Sequence, residues 1–359
     1  MNDLDWTLGP FERVDSANPC LSPRTETTFY CPVRKAPVRW EEKDVFNPAA
    51  VARNGRVYLL YRAEDTVGRY AGTSRIGLAE SADGLTFLRR PEPVLYPDND
   101  FMHQYEWEGG CEDPRIVEDE AGTYYLTYTA YDGRLARLCV AVSNNLVHWE
   151  KQGLVFAKSA GGRYVDVWSK SGSIVCRREG ERLIAARING FYWMYWGESD
   201  IYLATSQNLF DWDPLPYSPD SPAVRYAFSR RQRCFDSTLV EPGPPALLTD
   251  QGILFIYNSK NSAQYGDPSL PEGTYAAGQV LLDWRDPSAV LRRTEGYFFK
   301  PEKPYEITGQ VGNVCFLEGL VPFQGQWLLY YGTADSKIAV ARAPTSPLPA
   351  PTELATREG

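Results

Sequence analysis

Five stretches decide the fold: Gly55-Arg-Val-Tyr-Leu-Leu-Tyr-Arg62, Gly122-Thr-Tyr-Tyr-Leu-Thr-Tyr-Thr129, Gly180-Glu-Arg-Leu-Ile-Ala-Ala-Arg187, Gly252-Ile-Leu-Phe-Ile-Tyr-Asn258 and Gly325-Gln-Trp-Leu-Leu-Tyr-Tyr-Gly332. Each is a glycine turn followed by an aliphatic and aromatic run with the composition of a strand. The five glycines lie 67, 58, 72 and 73 residues apart, so one pattern recurs in units of similar size. A second strand-like segment follows each run: Ile76–Ser81, Leu138–Ser143, Ile201–Ser206, Gly278–Asp283 and Lys337–Arg342. In three units a turn and an aromatic come next, ending at Phe87, Trp149 and Trp212, and this aromatic is expected to plug the space between neighbouring sheets. A short segment precedes each glycine, and a more divergent fourth strand completes the unit. Antiparallel four-stranded units repeated about an axis predict an all-β protein, a five-bladed β-propeller. An irregular β-sandwich is the alternative, and long helices are excluded because no window sustains a 3.6-residue period.

The units leave an N-terminal arm over residues 1–45, expected to pack on the propeller or close its last blade. The propeller itself is predicted over 46–345, with a Pro- and Ala-rich tail over 346–359. No Gly/Ser-rich linker divides the chain.

With 37 Lys+Arg against 46 Asp+Glu the net charge is −9 and the pI near 5.0, which argues against nucleic acid or an anionic membrane as partner. No apolar stretch approaches the ~20 residues of a membrane span. The first residues, Met1-Asn-Asp-Leu-Asp-Trp6, lack the basic and apolar regions of a secretory signal. Seven scattered cysteines with no CxxC spacing suggest neither a disulfide framework nor a zinc site, and together these features predict a cytoplasmic protein. Two histidines leave almost no material for a His-rich metal site or a Ser-His-Asp triad. Catalysis therefore falls to carboxylates, with no metal or organic cofactor expected.

In a propeller the first strand of each blade lines the central channel. The segments before the glycines place Asn47, Asp113, Lys170, Glu241 and Glu318 seven to eleven positions ahead of them. Singly, Asn or Asp before Pro is an ordinary turn signal; five coincident placements predict a shared pocket of three carboxylates and a lysine, suited to acid/base chemistry. The prolines after Asn47, Asp113 and Glu241 suit positions where no backbone N–H is needed. Two aromatic clusters, His103–Glu108 and Phe191–Asp200, read as loops that either pack or stack on sugar rings. The basic cluster Arg230-Arg-Gln-Arg233 reads as a solvated loop that could border the pocket.

These residues resemble glycoside hydrolase family 130, whose members act on β-mannosides with a five-bladed propeller. The resemblance covers about 45 to 343, through Gly110-Cys-Glu-Asp-Pro-Arg-Ile116, Asp236 to Tyr257, Leu281-Leu-Asp-Trp-Arg-Asp-Pro287 and Tyr330-Tyr-Gly-Thr-Ala-Asp335. Phosphorylase members typically carry a small Gly-containing segment where this chain has Val240-Glu-Pro-Gly243, and Tyr-His-Gly where it has Tyr257-Asn-Ser259. Glu241 and Glu318 then put negative charge where a phosphate would sit. The resemblance thus implies the hydrolase branch, acting on β-1,2-mannosides with inversion. It implies Asp113 as general acid, working through a hydroxyl of the bound mannose, with Glu241 and Glu318 activating water. Asn47, Arg62, Asp65, Arg115, Lys170, Asp236 and Asp335 become candidates for holding sugar hydroxyls. The expected partner is a small mannoside or mannooligosaccharide, and a homo-oligomer stays open. Two rivals are a β-mannoside phosphorylase using Lys170, Arg187 or the 230–233 arginines, and a non-catalytic carbohydrate-binding propeller.

Overall fold

The computed structural model describes residues 5–218, 221 and 223–345; the expected tail over 346–359 lies outside them. The described chain is almost wholly β, with two four-residue helical turns and one short 3-10 turn.

Five antiparallel sheets follow one another. The first runs Asp44–Arg53, Arg56–Glu64, Ser74–Ser81 and Leu88–Arg89. The second runs Gly110–Glu118, Tyr124–Tyr131, Ala136–Ser143 and Glu150–Leu154. The fourth pairs Leu239–Pro242 and Ala246–Thr249 with Gly252–Lys260, then Tyr275–Leu282 and Val290–Arg293. The fifth runs Cys315–Phe323, Gln326–Thr333 and Lys337–Pro344. Its hairpin and that of the first sheet close through two-residue turns, Gln324-Gly325 and Asn54-Gly55, with both residues at positive φ. Such turns match the right-handed twist of the strands they join, and glycine is their natural second residue.

The third sheet departs from the sequence reading. Its glycine-led run does not build the regular second strand. Arg182–Ala185 pairs back on Ser173–Glu179 and touches Glu118 of the second sheet, whereas Phe191–Trp196 pairs with Ser173 and Ile174 and carries Asp200–Ser206. The supposed aromatic loop is therefore a strand, and Met194, Tyr195 and Trp196 are buried. Alternation of apolar residues is lost there because both of its faces are covered.

Each of the three repeated turns is tied by the same bonds. Ser81, Ser143 and Ser206 accept the N–H three residues on, at 2.8, 2.9 and 2.9 Å, and Asp83, Asn145 and Asn208 accept the next two. These side chains substitute for strand pairing where the chain reverses. The aromatic that follows does reach a neighbouring sheet in the first unit, where Phe87 meets Tyr330 edge-on at 5.8 Å and Tyr330 donates to the Gly84 carbonyl.

Consecutive sheets also touch through parallel bridges: Ser74 with Gly110, Ile184 with Glu118, Val175 with Ala246, and Tyr275 with Val314. The fifth sheet gains its outermost strand from the other end of the chain, Glu12–Arg13, paired with Ala341 and Arg342. Arg13 is fixed by Glu306 at 2.7 Å and lies 4.3 Å over the Phe299 ring. Glu306 is fully buried and also accepts from Tyr331 and the backbone of Glu302 and Lys303. Removing one partner of a buried pair strands the other charge, at a cost of about 3–5 kcal/mol. Arg13→Ala should therefore lower unfolding free energy by about 3 kcal/mol in urea titration; a change under about 0.5 kcal/mol would show that the arm does not lock this edge.

Candidate active site

The first strands of three sheets break register at the same kind of place. The first sheet skips a residue between Phe46 and Pro48, the second between Glu112 and Arg115, the fifth between Leu317 and Gly319. The extra residues are Asn47, Asp113 with its proline, and Glu318. Asn47 and Asp113 both have φ 47°. Proline cannot donate to the ladder, so Asn-Pro and Asp-Pro fall where pairing is interrupted. A bulge also resets the two-residue alternation, which brings both Glu112 and Asp113 toward the same cations although they are adjacent in sequence.

Asp113 lies at the centre. One oxygen accepts from Asn47 and from Arg62, each at 3.0 Å, and the other faces Lys170 at 3.7 Å. Lys170 also reaches Glu241 at 3.1 Å, and Glu241 accepts from the Ser171 hydroxyl. With legs of 3.7 and 3.1 Å meeting at one nitrogen, the facing oxygens of Asp113 and Glu241 are at most 6.8 Å apart. Arg62 stands 4.7 Å over Phe46 and bridges Asp113, Glu112 at 3.0 Å and Glu64 at 2.8 Å; Glu64 has a second cation in Lys43 at 2.9 Å.

Arg115 corrects an expectation. It is buried beneath the site, where it donates to the carbonyls of Pro242 and Gly243 and lies 3.5 Å from Glu318. With its donors spent on backbone of the Glu241 strand, it holds carboxylates in place rather than sugar hydroxyls. Asn258 acts in a similar way, since its amide clamps Leu317 in both directions, at 2.8 and 2.9 Å, beside Glu318. Two other expected sugar ligands are engaged elsewhere. Asp65 accepts from Gly68, Thr73 and Arg75, and so shapes its own loop. Asp236 is bound to Arg231, Arg293 and Tyr257 in the fourth sheet. Arg187 is turned to the Gly190 and Gln207 carbonyls, away from the cluster.

Five carboxyl groups, those of Glu112, Asp113, Glu241, Glu318 and Asp335, thus share three cations, Arg62, Arg115 and Lys170. They cannot all ionise cheaply in a buried site, and the cations decide where charge settles. Burial works against a charged Asp113, but Arg62, Lys170 and the Asn47 bond outweigh it and hold this carboxyl well below its usual range. These neighbours favour the carboxylate form of Asp113, which the sequence reading assigns as the acid. Burial pushes Glu112 and Asp335 each up to about 7 despite Arg62, and Glu318 well above its ordinary value despite Arg115. Glu241 is raised by burial, with Lys170 opposing. Two buried oxygens, Oδ1 of Asn47 and Oε2 of Glu318, have no protein partner. Among the described residues no group of three or more His, Cys, Asp or Glu side chains is arranged to hold a metal ion.

Carboxyl groups whose proton affinities are pushed apart in one buried cluster suit acid/base chemistry, and the chain is similar to known carbohydrate-active proteins. A family model described as beta-1,4-mannooligosaccharide phosphorylase matches residues 12–348. The chain belongs to glycoside hydrolase family 130. It is 33% identical over 317 residues to a 1,2-beta-oligomannan phosphorylase of Thermoanaerobacter sp. (strain X514), covering 86% of this chain and 92% of that one. A solved glycosyl hydrolase from Bacteroides ovatus is 44% identical, with TM-score 0.91 and coverage of 96% and 98%. Another structure, 44% identical with TM-score 0.92 and the same coverage, is described as showing that the family of mannoside phosphorylases contains glycoside hydrolases targeting beta-1,2 mannosidic linkages in Candida mannan.

Asp335 yields a prediction whose sign follows from its raised affinity for the proton. The unfolded chain releases that proton near its ordinary value of 3.8, while the folded chain keeps it to about 7. The folded state then binds more protons in that window, so stability falls as pH rises through it and levels off above. Asp335→Asn should flatten the decline and gain at least about 1 kcal/mol at pH 8 in urea unfolding; an unchanged pH slope would mean that the group titrates normally.

Proposed function

We propose that this chain is an inverting glycoside hydrolase that cleaves β-1,2-mannosidic linkages and releases mannose. The five sheets, each touching the next and the first meeting the fifth, are read as the blades of a five-bladed β-propeller, with the cluster at one mouth of its channel. The observation that carries the reading is the excess of carboxyls over cations. Lys170, Arg62 and Arg115 are already engaged by Asp113, Glu241, Glu112 and Glu318. A phosphate placed beside the Glu241 carboxylate meets repulsion of several kcal/mol at low effective dielectric, whereas a water there meets an acceptor.

Glu241, aligned by Lys170 and Ser171, is the base that takes the proton of the attacking water. Glu318, kept uncharged by burial, orients that water through its open oxygen. Asp113 serves on the opposite face. A sugar seated against Lys170 excludes water, and that desolvation raises the hold of Asp113 on a proton. That proton comes from the neighbouring carboxyls near neutrality, and passes to the leaving oxygen through a hydroxyl of the bound sugar. The limit of 6.8 Å between facing oxygens is compatible with the lower end of the spacing, roughly 6.5–9.5 Å, used by inverting enzymes to admit a water. Seven free thiols suit the cytoplasmic setting we assign.

A second reading, phosphorolysis, draws on the phosphorylase relative and predicts a different product. Incubation with β-1,2-mannobiose, followed by NMR, should give mannose at a rate indifferent to inorganic phosphate. Accumulation of mannose 1-phosphate in proportion to added phosphate would replace our reading by the second. No turnover of any mannoside would favour a binding protein.

Two variants test the roles. Asp113→Asn keeps the shape without the proton and should lower turnover on mannobiose by about 10²–10⁴-fold. Glu241→Gln should lower kcat while leaving KM within about threefold, as for a group acting in the transition state. Near-normal turnover in either would reassign that residue.

A further inference from the structure

Arg62, the cation shared by Asp113 and Glu112, is held from behind by a carboxylate that no step of the proposed mechanism uses. Glu64 is buried on the same strand, two residues on and so on the same face. It lies 2.8 Å from Nη2 of Arg62, the nitrogen that Glu112 approaches at 3.0 Å. With legs of 2.8 and 3.0 Å meeting at one nitrogen, the facing oxygens of Glu64 and Glu112 are at most 5.8 Å apart. The other oxygen of Glu64 accepts from Lys43 at 2.9 Å and from the Gln310 amide at 3.3 Å. Lys43 also donates to the Ala71 carbonyl and the Gln310 side chain, and lies 3.5 Å from Asp44. One ammonium thus joins the segment ahead of the first sheet, the loop over 65–73 and the loop over 308–314 that leads into the fifth sheet. Arg62, Glu112 and the buried Thr129 line a cavity of about 390 Å³ beside the cluster; Glu64 and Lys43 do not, so the pair acts on the site through Arg62.

A buried ion pair adds little net stability over apolar residues of the same volume, so stability alone does not call for this one behind a site cation. We infer that Glu64 is a positioning residue whose charge, balanced by Lys43, sets how much of Arg62 remains available to Glu112 and Asp113. The inference rests on the proposed mechanism, in which carboxyls beside Asp113 hold near neutrality the proton that it passes on. Orientation comes first. Nε of Arg62 donates to Ser74 at 3.0 Å, its guanidinium stands over Phe46, and Glu64 takes the far nitrogen, which leaves the remaining edge to Asp113. Charge comes second. Glu64 is a like charge close to Glu112 and favours its protonated form, and Lys43 cancels part of that field. Of the other groups around the pair, Asp44 feels both charges and Asp335 feels Glu64, while Lys170 acts on Glu112, Asp113 and Asp335 from the segment ahead of the third sheet. The two members of the pair therefore push the proton affinity of Glu112 in opposite directions.

The test is a charge cycle over Glu64→Gln, Lys43→Met and the double variant, read in two ways. Carboxyl carbon NMR follows Glu112, its signal assigned by its loss in Glu112→Gln. The pH profile of kcat/KM on β-1,2-mannobiose follows the alkaline limb, where activity is lost as the proton is released. Glu64→Gln still accepts from Arg62, so orientation is kept while the charge goes. Glu112 should then release its proton at least about 0.5 pH unit lower, the effect of a charge about 6 Å away even in water, and the limb should move down with it. Lys43→Met should move both upward, and the double variant should fall between the single ones. Glu64→Ala, which loses acceptor and charge together, should have kcat at least about fivefold below that of Glu64→Gln. Shifts of one sign in both single variants, an unmoved Glu112, or equal kcat in Glu64→Ala and Glu64→Gln overturn the inference and leave the hydrolase reading standing. Movement of Glu112 without the limb also overturns it, since the pair would then be uncoupled from the reaction. Mannose 1-phosphate as product displaces the hydrolase reading but not the pair, because protonation of the leaving oxygen is common to both reactions. No turnover of mannobiose by the unaltered protein removes both.

Discussion

Five buried carboxyl groups around three cations set the terms for everything near the site. An isolated carboxylate in a low-dielectric interior is costly, and a cation beside it offsets that cost only in good geometry. Here geometry is enforced from outside the cluster. Arg115 ties the strand of Glu241 to that of Asp113, and Asn258 ties the strand of Glu318 to the fourth sheet. Because charge outnumbers countercharge, some carboxyls keep protons near neutrality while Asp113 does not. Proton affinities pushed apart in one pocket are what acid/base chemistry needs.

Much of this was legible in the chain. The five glycine-led runs announced β-structure, and the residues before them announced Asn47, Asp113, Lys170, Glu241 and Glu318, because strand starts with Pro or Gly punctuation mark interrupted pairing. What the sequence could not convey is which side chains a bulge turns inward. Glu112 stood in plain view in Glu-Asp-Pro-Arg, but strict alternation places it opposite Asp113. Ser171 and Thr129 carry no local mark, since a hydroxyl in a strand reads alike whether it faces a carboxylate, a cavity or a neighbour.

The misreadings have a common cause. Asp65, Asp236 and Arg115 are charged residues near the site in sequence, and their partners are chosen by tertiary contacts: Arg75, Arg293, and the Pro242 and Gly243 carbonyls. The aromatic run Phe191–Trp196 has polar neighbours and looks like a loop, but the second strand of the third sheet is recruited from it.

Glu12–Arg13 as outer strand of the fifth sheet has a consequence for biosynthesis. A ribosome delivers this segment first and its partner, Lys337–Pro344, last of all the paired elements. Throughout translation the early strand waits without its ladder, and the growing row of sheets ends in an unpaired edge open to other chains. This pairing then joins the earliest and the latest of the paired strands. A nascent chain interrupted before that point leaves Gln326–Thr333 as an unpaired edge, open to self-association.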